Sequence, residues 1–284
     1  RDLFPIELRR EYRRFRRVVR TMQIVSDEPW IPWELVKPYD GEDPSDPVDD
    51  DFFCVQYLFA RWFTPAAPPA QQIVIRNLAA ITPADCDLAS AHTEQAMVRG
   101  LAARYALNDR TPAAATRRAV EALLGGAEPV ELWHFAGHGS FRSDAPNRSA
   151  LQLENNAALR PDDLVGPVET RLRSDRPLFV LNACRVGSVG LSLTGLGGWA
   201  KVLVQDCGVG ALIAPLWEVN DQLAQVFCTT FYEALAVPGA TVAEAARQAR
   251  NALKTQAPQD PIWLAYSLFA HPNAQITLGA GPLA

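Results

Sequence analysis

Val130-Glu131-Leu132-Trp133-His134-Phe135-Ala136-Gly137-His138-Gly139-Ser140 is an apolar run that breaks at glycine. Such a run, short and bounded by breakers, is the pattern of a strand buried on both faces of a parallel sheet. Leu178-Phe179-Val180-Leu181-Asn182-Ala183-Cys184-Arg185 has the same form. Working outward, the periodicity predicts strands over 72–78, 130–135, 178–183 and 209–216. Amphipathic helices are expected over 90–106, 112–124, 195–205, 221–236 and 241–255. Pro112 suits the first turn of its helix, with Thr111 as N-cap. Residues 149–160 read as a small hairpin, 161–173 as a short helix and 142–147 as a flexible tip. The alternation of strand and helix points to an open, mostly parallel sheet flanked by helices on both faces.

In an open α/β sheet the functional residues gather beyond the carboxyl ends of the strands. His138 stands past such an end, between Gly137 and Gly139, exposed and free to turn. Gly139 can offer its backbone N–H to a ligand with no side chain in the way. Cys184 is the first residue beyond the apolar positions of the second strand. If the two strands adjoin, an imidazole and a thiol meet on one rim. A free thiol has a pKa near 8.5, so little of it is thiolate at neutral pH. A neighbouring imidazole can take its proton and later return it to a leaving amine. The backbone N–H groups of Gly139 and Cys184 are the candidate donors to a tetrahedral oxyanion. His134, inside the strand, reads as a hydrogen-bonded core histidine. Cys54, Cys86, Cys207 and Cys228 read as small buried hydrophobes.

The chain has 284 residues, is 48% hydrophobic and carries a formal net charge of −5. That balance gives no global basic field to attract nucleic acid. The five cysteines are odd in number and contain no CxxC pair, which argues against a disulfide framework or structural zinc and for a reducing, cytoplasmic setting. The opening Arg1–Pro5 has no apolar h-region, and no run is long enough to span a bilayer, so neither a signal peptide nor a membrane partner is expected. Residues 1–20 hold eight arginines among apolar positions, a basic amphipathic helix running into a strand. Its basic face is either a solvated connector or a docking surface for an acidic partner. Residues 39–51 are acidic at seven of thirteen positions and read as an exposed linker. Residues 64–70, with three prolines, read as a second one. The expected organisation is an N-terminal set of elements over 1–70, partly packed on a core of 71–284.

His134-Phe135-Ala136-Gly137-His138-Gly139, Leu181-Asn182-Ala183-Cys184 and Ala214-Pro215-Leu216-Trp217-Glu218-Val219-Asn220-Asp221 resemble, in order and spacing, the signatures of CHAT domains. Ile31-Pro32-Trp33-Glu34-Leu35, Gly195-Leu196-Gly197-Gly198 and Phe231-Tyr232 add to the likeness, which spans roughly residues 20–275. CHAT domains are caspase-like peptidases akin to separase, gingipain and the caspases. The resemblance implies a caspase-hemoglobinase fold, a His138–Cys184 dyad, hydrolysis of peptide bonds in protein substrates and no cofactor. It also implies control by a fused or associated sensor, in bacterial defence or regulated cell death. Arg185-Val186-Gly187 stands where the family commonly has an acidic residue and Thr-Gly, a difference that concerns the rim of the cleft more than the dyad.

Separase-like relatives use a Leu-Trp-acidic-Val-x-Asp stretch to receive a P1 arginine. Carried onto this chain, that implies an Arg or Lys P1 residue held by Asp221 and Glu218, with Trp217 as a wall of the cleft. Asp221 also suits the N-cap or first turn of its helix. No dinucleotide fingerprint, Walker loop, zincin motif or nucleophile elbow is complete in this sequence. The competing expectations are a catalytically silent interaction scaffold on the same fold and a non-proteolytic thiol acyltransferase on the same dyad.

Overall fold

A computed structural model describes residues 5–28, 31–41, 45–64, 66–140, 149–184 and 196–279. The chain opens with α1 (Ile6–Phe15), β1 (Thr21–Ser26), β2 (Tyr39–Asp40), β3 (Val48–Asp49), α2 (Phe53–Gln56) and β4 (Leu58–Phe63). There follow β5 (Gln72–Ile75), β6 (Asn77–Ile81), α3 (Ala89–Tyr105), β7 (Asn108–Asp109), α4 (Arg117–Leu124) and β8 (Leu132–Ser140). The small strands β9 (Ala150–Gln152) and β10 (Ala158–Leu159) lead to α5 (Pro167–Asp175) and β11 (Leu178–Cys184). The last part comprises α6 (Leu196–Lys201), β12 (Ala211–Pro215), α7 (Asp221–Leu235), α8 (Val242–Gln256), β13 (Tyr266–Phe269) and β14 (Gln275–Leu278).

The main sheet runs β1-β4-β13-β12-β11-β8-β6-β7. Every junction along it is parallel except β12–β13, which is antiparallel. Alternate residues of the central strands serve two cores, as the two-residue period of a strand requires. Leu78, Leu132, Leu178, Val180 and Ile213 pack beneath α3, α7 and α8. Ile81, Trp133, Phe135, Phe179, Leu181 and Leu212 pack against α4, α5 and α6. Helices therefore cover both faces, the architecture expected from the sequence. β1 and β4, from the first seventy residues, are strands of this same sheet.

Several boundaries differ from the sequence reading. The single strand expected over 72–78 is two strands. β5 pairs with β14 in a separate small sheet, whereas β6 pairs with β8. The break at Arg76 has a cause: the Glu131 carboxylate accepts hydrogen bonds from the backbone N–H groups of Arg76 (3.1 Å) and Asn77 (2.8 Å). The helix expected from Pro112 begins at Arg117, capped by Thr116 Oγ1, which accepts from Ala119 N at 3.3 Å. Thr111 instead has its hydroxyl on the Ala80 N–H (2.9 Å), at the sheet edge. The helix expected over 195–205 becomes α6 followed by a π-helical turn, Val202–Asp206. The hairpin expected over 149–160 forms as β9–β10. The loop 142–147 lies outside the described residues.

The acidic segment 39–51 is not a plain linker. It folds into the antiparallel pair β2–β3, and its carboxylates receive the arginines of α1. Arg13 reaches Asp40 at 2.8 Å, and Arg16, only 6% exposed, reaches Asp46 at 2.6 Å and Asp50 at 2.7 Å. Arg17 also reaches Asp46, at 2.7 Å. Tyr12 donates to Asp50 (2.7 Å) over an apolar cluster with Val48, Phe53 and Tyr57. The basic face thus meets an acidic partner inside its own chain.

Hydrogen bonding from Arg16, then the charges of Arg16, Arg17 and Arg13, hold the Asp46 carboxyl below its ordinary 3.8. A depressed carboxylate stabilises the folded clasp above its unfolded pKa, and that contribution is lost as pH falls through the folded value. Protection factors of the backbone amides over 6–15, taken relative to the intrinsic exchange rate at each pH, should therefore drop on acidification below about pH 4 before the sheet opens, and Arg16→Ala should produce the same loosening at neutral pH. Equal protection of α1 and the central strands under both conditions would show that the clasp contributes nothing.

Candidate active site

β8 and β11 are paired in register from Leu132 opposite Leu178 to His138 opposite Cys184. The two residues singled out in the sequence thus stand side by side at the carboxyl ends of adjacent parallel strands. Neighbouring strands lie roughly 4.7–4.9 Å apart. For Cys184 the description extends to the backbone.

Gly137, just before His138, has φ +151°, a conformation that side chains rarely adopt, and it lies beside Pro83 and Cys86 of the loop that follows β6. That loop brings Asp87 to His138, with His138 Nε2 2.5 Å from Asp87 Oδ1. The imidazole is 16% exposed and the carboxylate 83%. The hydrogen bond from His138, and then its charge, hold the Asp87 carboxyl below its usual range. The network assigns the donor proton to Nε2. Nδ1 is buried and has no hydrogen-bond partner among the described residues.

Asp87 was not picked out in the sequence. It stands beyond the carboxyl end of β6, the other neighbour of β8. The rule that led to His138 and Cys184 applies equally to this third strand end, so the signal was present.

Beneath the rim lies a buried polar network. His134 is fully buried, with Nδ1 2.9 Å from the Tyr232 hydroxyl. Its Nε2 is 2.7 Å from Glu94 Oε1, an ion-pair distance without the alignment of a linear hydrogen bond. Asn182 Nδ2 donates to both Glu94 oxygens (3.0 and 2.8 Å), and the Tyr266 hydroxyl donates to Asn182 Oδ1 (3.0 Å). Burial, with Cys228 and Glu94 nearby, drives the Tyr232 hydroxyl well above its usual pKa. His134 is a core histidine, as expected, hydrogen-bonded through Nδ1. Glu94, which sequence reading missed, is the carboxylate beside its Nε2.

Cys54, Cys86, Cys207 and Cys228 are buried, as small hydrophobes should be. Burial pushes the thiol of Cys54 up to about 11 and that of Cys207 up to about 12. Gly139 pairs with Leu151 of β9. An open cleft of about 610 Å³ runs along this edge, lined by Asp85, Asp87, His138, Gly139, Ser140 and Gln152 among others.

Trp217, Glu218 and Asp221 follow β12, the other neighbour of β11. Trp217 is half-buried and touches all three main apolar clusters, Glu218 is exposed and Asp221 is half-buried. The N-cap of α7 is Asn220, whose Oδ1 accepts from Gln222 N (3.0 Å) and Leu223 N (3.2 Å). Asp221 occupies the first turn.

Residues 55–276 match the CHAT domain. The chain belongs to the CHAT domain family. In fold this CHAT chain is similar to the complex of the Porphyromonas gingivalis RgpB pro- and mature domains, at 14% identity and TM-score 0.61, over 95% of this chain and 68% of that one. It is also similar to the Arg-specific cysteine proteinase gingipain R, at 14% identity and TM-score 0.57, over 95% and 67%. A third solved structure, described as a protease, aligns at 12% identity and TM-score 0.52, over 90% and 64%. At these identities the likeness is one of fold. No curated protein matches the sequence. Among the described residues no helix is long and apolar enough to cross a membrane.

Removing one member of a buried charged network leaves its partners uncompensated, at a cost of about 3–5 kcal/mol. Glu94→Ala should lower the stability of this CHAT domain by that order in urea unfolding, with the midpoint shifted and the slope unchanged. Glu94→Gln should cost less, because it retains a polar group for Asn182. A loss below about 1 kcal/mol for Glu94→Ala would remove the network from the list of things holding the sheet centre together.

Proposed function

We propose that this chain is a cysteine endopeptidase in which His138 and Cys184 form the catalytic dyad. The observation that carries the reading is the in-register pairing of these two residues at one sheet edge, beside an open cleft. Asp87 accepts the Nε2 proton of His138 and so leaves Nδ1 as the base for the Cys184 thiol. The thiolate attacks the carbonyl carbon of the scissile peptide, and the oxyanion takes hydrogen bonds from the backbone N–H groups of Gly139 and Cys184. His138 returns the proton to the departing amine. Water, deprotonated by the same imidazole, then cleaves the thioester and regenerates the thiol.

The P1 residue under this reading is Arg or Lys, received by Asp221 and Glu218 beside Trp217. The acidic lining of the cleft by Asp85 and Asp87 favours a basic peptide in the same direction. The substrate is a protein, and a fused or associated sensor controls access to it, in bacterial defence or cell-death signalling. The odd number of cysteines, with no CxxC pair, suits a reducing cytoplasm.

A fluorogenic peptide panel with mass analysis of the products tests the assignment. Arg and Lys substrates should be turned over, and Cys184→Ala or His138→Ala should each lower kcat/KM at least about 10³-fold. Asp87→Asn should lower kcat about 10–100-fold with little change in KM, because Asp87 orients the imidazole rather than binding the peptide. Asp221→Asn with Glu218→Gln should raise KM for Arg substrates. Turnover of Leu, Met or Asp substrates alone would reject the P1 assignment. Failure of a thiol-directed peptide warhead to label Cys184, with partner binding intact in Cys184→Ala, would favour the silent scaffold.

A further inference from the structure

Three unlike metal donors converge at the rim of the cleft. One ligand atom each from Cys86, Asp87 and His138 lies within 4.8 Å of the others. Two of these residues belong to the loop after β6 that packs on β8, and the third is the proposed base. Cys86 has no part in the peptidase chemistry. Its sulfur is shielded among Leu88, Ala91 and Ala136. The Cys86 carbonyl lies 2.8 Å from His92 Nε2, which fixes the backbone on the other side of the sulfur.

The donor set selects the ion. A thiolate, an imidazole and a carboxylate suit Zn²⁺, whereas Mg²⁺ and Ca²⁺ take oxygen alone. Zinc lengths of roughly 2.3 Å to sulfur, 2.0–2.1 Å to nitrogen and 2.0–2.2 Å to oxygen place tetrahedral ligand atoms roughly 3.3–3.6 Å apart. His138 Nε2 and Asp87 Oδ1 are 2.5 Å apart, closer than two zinc ligands stand, so an ion seated here parts the carboxylate from the imidazole. Asp87, being 83% exposed, is the ligand free to move.

A second cluster of similar composition, Glu94, His134 and Cys228, is wholly buried. Its carboxylate and imidazole are engaged by Asn182 and Tyr232, so the network described above accounts for it.

We propose that Cys86, Asp87 and His138 form a Zn²⁺ site whose occupancy switches the enzyme off. On binding, the Cys86 thiol releases its proton to solvent, Asp87 binds as the carboxylate, and His138 binds as neutral imidazole with one proton on its other nitrogen. The charges of thiolate and carboxylate balance the dication. An imidazole held by the metal, and parted from Asp87, can no longer shuttle a proton for Cys184. A chelator reverses the state. The metal site stands on its own geometry; only its inhibitory consequence rests on the peptidase reading.

The two claims separate in one experiment. The Cys184→Ala chain, which has no nucleophile, is stripped with chelator and titrated with Zn²⁺ by calorimetry and with Co²⁺ by absorption. One ion should bind per chain with a Kd of about 1 µM or below. The Co²⁺ form should show a thiolate-to-cobalt charge-transfer band. A further Cys86→Ser or Cys86→Ala change should weaken binding at least about 10–100-fold and abolish the band. Absence of binding, or equal binding without Cys86, overturns the site whether or not the protein is a peptidase. In the chain with Cys184 intact, Cys86→Ala should keep its basal kcat/KM yet need over tenfold more Zn²⁺ for half-inhibition. Equal sensitivity of the two chains to Zn²⁺ would overturn the switch.

Discussion

Seven consecutive residue pairs hold β8 against β11, from Leu132 opposite Leu178 to His138 opposite Cys184. A slip of one residue would turn every side chain of one strand to the other face of the sheet. The aromatic pair Trp133–Phe179, paired in register and stacked at 5.8 Å, resists that slip on the α4–α6 face. On the opposite face Glu94 joins the two strands through His134 of β8 and Asn182 of β11. The pairing of His138 with Cys184 is the last rung of this ladder, and it inherits its alignment from the rungs below.

Burial of charge recurs among the described residues, and the buried charged side chains there have partners. Glu94 lies between His134 and Asn182. Glu34, from the Ile-Pro-Trp-Glu-Leu stretch, is fully buried 3.6 Å from Arg61, whose guanidinium also lies over the Phe269 ring at 5.0 Å. Arg250 donates to the Tyr266 carbonyl at 2.8 Å. An unpaired charge in such places would be prohibitive, whereas a paired one tolerates little rearrangement of its neighbours. These contacts join the N-terminal strands, the C-terminal helix and the sheet centre into one packing problem. The pair β1–β4 reaches the sheet through β13, which is the strand that reverses direction.

The edge that carries the proposed dyad is built differently from the centre. Its residues come from the loop after β6, the last residues of β8 and β11 and the segment after β12, and the Asp87 carboxylate is in solvent. Such a rim can move a carboxylate or admit a ligand while the ladder beneath stays fixed. This contrast lets one histidine, His138, serve proton transfer in one state and a metal in another under the proposals above.

How far the sequence reached follows from what kind of information each feature needs. The central strands 130–135 and 178–183, and helices α7 and α8, were legible because their apolar periods and bounding residues are local. His138 and Cys184 were legible because each stands at a strand end marked by the chain itself, and because the ordered motifs resemble one family. The bend at Arg76, the late start of α4 and the folding of the acidic segment 39–51 were not. Each is decided by a partner far along the chain: Glu131 for the backbone of Arg76 and Asn77, Ala80 for Thr111, and the α1 arginines for Asp40, Asp46 and Asp50. Glu94 and Cys86 belong to the same class. Nothing local distinguishes a helix carboxylate that will be buried, or a loop cysteine that will face a histidine fifty-two positions on. Sequence periodicity by itself determined that the central segments become strands and helices, because that choice depends on neighbours within a turn or two. Only the tertiary structure decided which charges are paired and which side chains share the rim, because those depend on how the strands are ordered in the sheet.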